Sequence, residues 1–294
     1  MAEGRIIKAL SGFYYVKTDD GNIYQCRGRG VFRNQNITPL VGDLVIFEYD
    51  NPEEGYIMEV KPRKNELLRP PVSNITQAII VTSAKAPDFN ETLLERFLVI
   101  IEANQIKPVI FITKMDLVSE EERKNIEAYR DSYEKIGYEV ELLSLDDEQR
   151  YTALTKYFAD HITVIAGQSG VGKSTILNMI DNSLNLKTGE ISESLGRGRH
   201  TTRHVELIDM GLGLVADTPG FSSLELDMLE LEDLPLCYPE FRSRMHLCKF
   251  RGCMHLKEPK CAVKEAVSTG EIASFRYENY QRFVEEISQR KPRY

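Results

Sequence analysis

The sequence predicts a chain of three parts: a central α/β domain on a mostly parallel sheet, with a small β-barrel before it and a mainly helical segment after it. Three observations carry the prediction. Residues 1 to about 67 read as short strands separated by turn signals. From about residue 72 buried apolar runs alternate with amphipathic helices, the rhythm of a parallel sheet covered on both faces. From about residue 223 the strand pattern stops and cysteines crowd together. The parts are therefore bounded at 1–67, 72–222 and 223–294.

The first part contains "GRIIKAL", "FYYVKT", "IYQCRG", "LVIFEYD" and "GYIMEV", punctuated by Asp20-Gly21-Asn22, Val41-Gly42-Asp43 and Asn51-Pro52. Short strands at this spacing suggest a small barrel, OB-like and five-stranded or else SH3-like. "RPP" at Arg69–Pro71 marks a boundary. Beyond it, "QAIIVTSA" reads as a buried strand and "ETLLERFLVIIEANQ" as a helix with Leu93, Leu94, Phe97, Leu98 and Ile101 on one face. "PVIFITKMD" is a second buried strand, followed by the charged helix "SEEERKNIEAYRDSYEKIG". Strand "ITVIAG", helix "KSTILNMI" and strands "HVELIDM" and "GLGLVADTPG" complete this part, and the last helix is "EIASFRYENYQRFVEEISQ".

Composition limits the function. A hydrophobic share of 42% and a charged share of 28% are those of an ordinary globular protein. No apolar run approaches the ~20 residues that span a bilayer, and "MAEGRIIKALSG" lacks the apolar core of a secretory signal. The expectation is a cytoplasmic monomer without a membrane partner. The net charge of −8 is unevenly placed: Asp116–Arg150 holds 12 acidic and 5 basic residues, whereas Phe241–Lys264 holds 7 basic residues against the single Glu258. A local basic face on an acidic protein suits nucleic acid.

The stretch Gly167-Gln168-Ser169-Gly170-Val171-Gly172-Lys173-Ser174-Thr175 fits a phosphate-binding loop, with glycine, four residues and Gly-Lys-Ser between a strand and a helix. Glycines let backbone N–H groups turn inward onto phosphate oxygens, and the following helix offers its positive end. Lys173 would reach the β- and γ-phosphates and Ser174 would ligate Mg²⁺.

Two further strings choose guanine over adenine. "DTPG" places Asp217 where a carboxylate can hold Mg²⁺ through water, with the Gly220 N–H aimed at a γ-phosphate. Thr113-Lys114-Met115-Asp116 ends a buried strand, and Asp116 can accept both guanine N1–H and the exocyclic amine, donors that adenine lacks there. Lys114 would lay its stem along the base. Thr113 stands where Asn is the commoner residue, keeping one hydroxyl donor but losing the amide fork. Ser144-Leu145, at the end of another strand, would close over the base or form a plain turn.

Between the phosphate loop and "DTPG" lies "SLGRGRHTTRH", Ser194–His204, a plausible mobile switch in which Thr201 or Thr202 closes over Mg²⁺. Phe221 follows "DTPG" where many GTPases carry a glutamine that orients the attacking water. His200 is the best internal substitute, unless it merely meets RNA or solvent.

Cys248, Cys253, His255 and Cys261 lie close in sequence and make a Cys₃His set suited to one structural Zn²⁺. His246 ranks below them as a ligand, and Cys26 and Cys237 read as core or surface thiols. So short a segment has little core, so zinc would supply much of its folding energy. The Arg and Lys residues between the ligands would form a surface for nucleic-acid phosphates.

In chain order the elements run guanine motif, closing loop, phosphate loop, switch, "DTPG", whereas ordinary GTPases begin with the phosphate loop. The order is that of a circular permutation, cheap wherever termini lie close together. A barrel, a permuted GTPase and then "C-x4-C-x-H-x5-C" resembles the RsgA (YjeQ/YloQ) family of bacterial GTPases dependent on the small ribosomal subunit. The resemblance spans essentially the whole chain and is most specific at "GQSGVGKST", "GRGRHTTRHVEL", "DTPGF" and the cysteines. It implies an N-terminal OB-fold and a permuted P-loop GTPase. It also implies a zinc-binding C-terminal domain, action on the 30S subunit and its 16S rRNA in late maturation, and hydrolysis of GTP to GDP stimulated by that particle. The family's switch histidine has been considered catalytic, which supports His200.

Overall fold

A computed structural model describes residues 1–30, 32, 37–68, 71–144, 147, 153–180, 205–217, 226 and 229–290. Strands β1 (Ala2–Leu10), β2 (Phe13–Lys17), β3 (Ile23–Gly28), β4 (Leu44–Asn51) and β5 (Glu54–Val60) pair in the order β1-β2-β3-β5-β4, and β4 returns to β1. The result is a closed five-stranded barrel of the OB-like kind. Alternation along the strands sends Ile6, Val16, Cys26, Val45, Phe47 and Ile57 inward, each with no solvent exposure. Gly55 is required where β5 meets β3: a Cβ there would sit 2.6 Å from the Cys26 sulfur.

Strands flank the predicted boundary at "RPP". β6 (Glu66–Leu68) and β7 (Pro71–Ser73) pair antiparallel on either side of it. The fully buried Asp43 carboxylate accepts from Arg63 Nε at 2.7 Å and from Ser73 Oγ at 2.6 Å, tying barrel to linker.

The central sheet is built from β8 (Gln77–Ser83), β9 (Lys107–Thr113), β10 (Glu139–Leu142), β11 (Ile162–Ala166), β12 (Glu206–Asp209) and β13 (Leu214–Asp217). Helices α1 (Glu91–Ala103), α2 (Glu120–Ile136) and α3 (Lys173–Ile180) follow β8, β9 and β11. Strands β10-β9-β8-β11-β13 are parallel neighbours, and β12 is antiparallel to β13. α2 starts where Ser119 and Glu122 exchange capping hydrogen bonds and stops at Gly137 in the left-handed region. β12 also pairs antiparallel with β1, Lys8 opposite Glu206, so barrel and central sheet make one run of 11 strands. Two ion pairs flank the junction, Lys8–Glu206 at 2.9 Å and Lys17–Asp209.

The C-terminal segment adds α4 (Pro239–Arg242), α5 (Ala262–Ser268) and α6 (Ser274–Ser288), the last starting three residues after the first residue of the sequence-predicted helix. It packs on α1. The face of α1 expected from periodicity is buried at Leu94, Phe97, Leu98 and Ile101, but Glu95 and Val99 are buried as well, because the C-terminal segment covers a second face. There Arg276 of α6, 1% exposed, bonds Glu95 at 2.5 Å and Glu240 at 2.7 Å, and its guanidinium lies 4.6 Å over the Tyr238 ring. Tyr133 donates to the other Glu95 oxygen at 2.8 Å.

Burial pushes the Glu95 carboxyl up to about 7, against the pull of Arg276. The native state then holds a proton that the unfolded chain has lost above the ordinary value of 4.5. The contribution of this group to stability therefore declines as pH rises from about 4.5 to about 7. Arg276→Met is expected to cost about 3–5 kcal/mol in urea melts, since it strands two buried carboxylates. The cost should be smaller at pH 6 than at pH 8, because Glu95 takes a proton more readily at pH 6. Equal costs at both pH values would remove Glu95 from this account.

Candidate nucleotide site and metal centre

In a parallel sheet all carboxyl ends lie on one edge, and every predicted nucleotide element that falls among the described residues sits there. Thr113 ends β9, Ser144 follows β10, the glycine loop follows β11, and Asp217 ends β13. From β8 the chain steps outward through β9 to β10, while β11 lies on the other side of β8. The crevice at that reversal is where open α/β sheets bind ligands, and the glycine loop fills it.

Gly167 has φ +139°, and a Cβ there would lie 2.1 Å from the Val81 carbonyl oxygen of β8, so only glycine fits. Gln168, Ser169 and Gly170 are exposed, while Val171 is buried at 2% and Ser174 at 6% exposure. Lys173 opens α3 and folds back, its Nζ donating to the carbonyls of Gly167 at 2.8 Å and Gln168 at 2.7 Å. Burial lowers its pKa from 10.5 to about 8, because desolvation penalises the charged form. Thr175 is half-buried in the first turn of α3.

The "TKMD" string turns sharply after β9. Lys114 sits in the left-handed region at φ +60°, and its Nζ donates to the Ala86 carbonyl. Met115 is buried beneath the turn, and its N–H donates to the Leu143 carbonyl at 3.0 Å. Asp116 is exposed at the mouth. Leu143 N–H in turn bonds Ile112 O at 2.7 Å, drawing Ser144 alongside this turn. Thr113 is 3% exposed, and its hydroxyl is directed at the carbonyls of Val171, 2.6 Å away, and Thr82, 3.1 Å away. Val171 and Ala86, as backbone partners, leave no trace in one-dimensional spacing.

His200, Thr201, Thr202 and Gly220 lie outside the described residues, as do Leu145 and the rest of Ser194–His204; for Asp217 only the backbone is described.

The four predicted zinc ligands converge. The donor atoms of Cys248, Cys253, His255 and Cys261 all lie within 4.8 Å of one another. His255 Nδ1 is 3.2 Å from Cys261 Sγ and 3.7 Å from Cys248 Sγ, and the latter two sulfurs are 4.0 Å apart. A tetrahedral zinc, ~2.3 Å from sulfur and ~2.0 Å from nitrogen, sets such spans near 3.5–3.8 Å. Burial pushes the Cys253 thiol up to about 12, so a cation is what would make it a thiolate. His246 is exposed and outside this group, and Cys26 and Cys237 are core thiols. Sequence reasoning missed the bracing around the cluster: Glu258 accepts from the N–H groups of Met254 and Leu256, and Tyr277 and Tyr280 donate to the carbonyls of His255 and Met254. Among the described residues no helix is long and apolar enough to cross a membrane.

Known proteins share this arrangement. Residues 60–227 match the model of the RsgA GTPase domain, and residues 3–57 that of the RsgA N-terminal domain. The chain is 63% identical to small ribosomal subunit biogenesis GTPase RsgA 2 of Oceanobacillus iheyensis, with all of both chains covered. It is 56% identical to small ribosomal subunit biogenesis GTPase RsgA of Bacillus subtilis, again over the whole of both. Among solved structures it matches YloQ, described as a circularly permuted GTPase, at 50% identity and TM-score 0.86, covering 100% of this chain and 97% of that one. YjeQ from Thermotoga maritima matches at 34% identity and TM-score 0.87, covering 99% of each. The chain thus has full-length counterparts among proteins named as RsgA GTPases, with a circularly permuted GTPase among its structural matches, and it is a GTP hydrolase of the RsgA GTPase family.

Proposed function

We propose that this GTPase acts in biogenesis of the small ribosomal subunit, binding 16S rRNA and hydrolysing GTP when the 30S particle orders its switch. The observation that supports this most is the convergence of the guanine turn and the glycine loop at one crevice, between two segments suited to rRNA. Asp116 accepts from guanine N1–H and its amine, the Lys114 stem covers the base, and Ser144 closes over its edge. Backbone N–H groups from Gly167 to Gly172, with Ser174 and Thr175 at the helix start, cradle the phosphates. Lys173 leaves its two carbonyl partners for the γ-phosphate and neutralises charge there.

Mg²⁺, which GTPase chemistry requires, would be held by Ser174, by Thr201 or Thr202 and, through water, by Asp217; bound there it supplies charge to the leaving oxygens. Gly220 N–H would sense the γ-phosphate and His200 would orient the attacking water. Zn²⁺ at Cys248, Cys253, His255 and Cys261 would have no open position and so a structural role. Exposed Lys249, Arg251, Lys257 and Lys260 beside it would meet rRNA phosphates. The working division into 1–67, 72–222 and 223–294 assigns RNA contact to the outer parts of a monomer and chemistry to the middle.

The test is GTP turnover by the wild type and His200→Ala, each with and without purified small subunits. Stimulation of the wild type by small subunits, largely lost in the variant, is the expected result. A rate that stays flat when subunits are added ends the coupling proposal.

A further inference from the structure

The barrel meets the nucleotide site through one short strand. β12 is four residues long, and both of its edges are paired. On one edge Glu206 is in register with Asp217, the last residue of β13. On the other edge the same Glu206 is in register with Lys8 of β1, the single register pair between those strands among the described residues. Lys8, Glu206 and Asp217 thus stand in one row across three strands. β11, the other neighbour of β13, pairs with Leu214, Val215 and Ala216 and stops there. Among the described residues Asp217 therefore has Glu206 as its only register partner in the sheet.

We infer that Lys8 and Glu206 are positioning residues for GTP hydrolysis: their ion pair holds β12 against the barrel, and the register of β12 with β13 then sets where Asp217 stands at the phosphates. The inference rests on the proposed reading of Asp217 as the carboxylate that holds Mg²⁺ through water.

Local structure aims Lys8 at this row. The β1–β2 register shifts between Ile6 and Lys8, an irregularity of the kind that redirects a side chain. The Lys8 ammonium lies 2.9 Å from the Glu206 carboxylate and 6.0 Å from the centre of the Tyr15 ring. At the other end of β12, Lys17 of β2 pairs with Asp209. Between them Leu207 is buried at 3% exposure, in the core that also holds Ile6, Val16 and Phe47 of the barrel. The barrel therefore holds β12 at its first and last residues by charge and in the middle by packing. A carboxylate that acts on a metal through water needs accurate placement, since a misplacement of about 1 Å can cost about 10²-fold in rate. Lys8 belongs to the barrel, so a partner that docks on the barrel reaches Asp217 by the same route.

The two side chains are 25% and 42% exposed, so solvent screens the pair and its loss is worth about fivefold. The experiment measures single-turnover GTP hydrolysis, binding of a non-hydrolysable GTP analogue with and without Mg²⁺, and binding of GDP without Mg²⁺. It compares the wild type, Lys8→Glu, Glu206→Lys and the double exchange Lys8→Glu/Glu206→Lys. Each single exchange is expected to slow hydrolysis about fivefold and to shrink, by about the same factor, the gain in analogue affinity that Mg²⁺ brings. Binding of GDP without Mg²⁺ should stay within about twofold, and the double exchange should recover both losses. Lys8→Met and Glu206→Gln give the same rate and affinity comparison should a single exchange fail to fold. Three outcomes would each overturn the inference: single exchanges that hydrolyse GTP at the wild-type rate, a fall in Mg²⁺-free GDP binding as large as the fall in rate, or a double exchange that recovers neither loss. Asp217→Asn separates the underlying reading: if it leaves the Mg²⁺-dependent gain intact, Asp217 does not serve the metal, while the Lys8–Glu206 cycle still reports whether the pair acts on hydrolysis.

Discussion

Lys173→Ala is expected to lower GTP turnover about 10²–10³-fold, the usual cost of removing one preorganised group that stabilises charge in the transition state. The free protein already shows the lysine aimed at the loop it serves, held by the carbonyls of Gly167 and Gln168. These neutral acceptors compensate only part of its desolvation, which is why its pKa falls to about 8. A bound phosphate would raise that value again, so nucleotide binding should take up a proton near neutral-to-basic pH. The sign follows: GDP affinity of the wild type drops as pH rises through about 8, about threefold from pH 7.5 to 8.5. In Lys173→Ala the profile over that interval is flat. Titrations with a fluorescent GDP analogue at several pH values would measure this. A wild-type affinity that does not change with pH, or a variant that turns over normally, would remove Lys173 from the phosphate site.

Loss of the metal is the second large effect. The C-terminal core gathers Tyr238, Phe241, Tyr280 and Phe283 around the buried cysteines, with Phe241 edge-on to His255 at 5.6 Å. Three of the four donors, Cys253, His255 and Cys261, are buried. Without a cation, neutral thiols and imidazole would have to hold the loop 248–261 in place by packing alone. Structural zinc supplies about 10–16 kcal/mol of apparent binding energy in small domains, far above a single hydrogen bond. Cys261→Ser, or prolonged chelation, should therefore release one zinc per chain and expose the amides of 245–265 to hydrogen exchange. Exchange in β8, β9 and β11 should change little, since their core is separate from that cluster. Metal analysis that finds no zinc, together with unaltered exchange in Cys261→Ser, would sink the assignment.

Much of this protein was legible one residue at a time. Gly167 to Ser174 is a contiguous string whose chemistry depends on local backbone freedom, and the structure adds only the Val81 carbonyl that makes Gly167 obligatory. The five barrel strands alternate with period two, so their inward residues could be read directly. The four predicted zinc ligands are close in sequence, and a short loop brings them together. By contrast, the partners of the Thr113 hydroxyl could not be read from its neighbours: beside Lys114 and Asp116 it reads as a base contact, and in the structure it donates to the carbonyl of Val171, 58 positions away. The α1 face was underestimated at Glu95 and Val99 because periodicity reports one buried stripe and α1 has two. Arg276 lies within "SFRYENY" and shares the buried side of α6 with Tyr280, Phe283 and Ile287, but the two carboxylates that receive it come from distant parts of the chain.

The sequence by itself carried the α/β fold class, the order that marks a circular permutation, the phosphate-loop string and the Cys₃His cluster, because each depends on residues near one another in the chain. Only the tertiary structure decided three further matters. It pairs β12, the strand leading away from the switch segment, with β1 of the barrel, making one sheet of two domains. It joins α1 to the C-terminal helices through a buried arginine between two carboxylates. It directs the Thr113 hydroxyl to the Val171 carbonyl of the glycine loop. Strand pairing, buried charge and the direction of a single hydroxyl are set by partners distant in sequence, and neither periodicity nor spacing carries information about them.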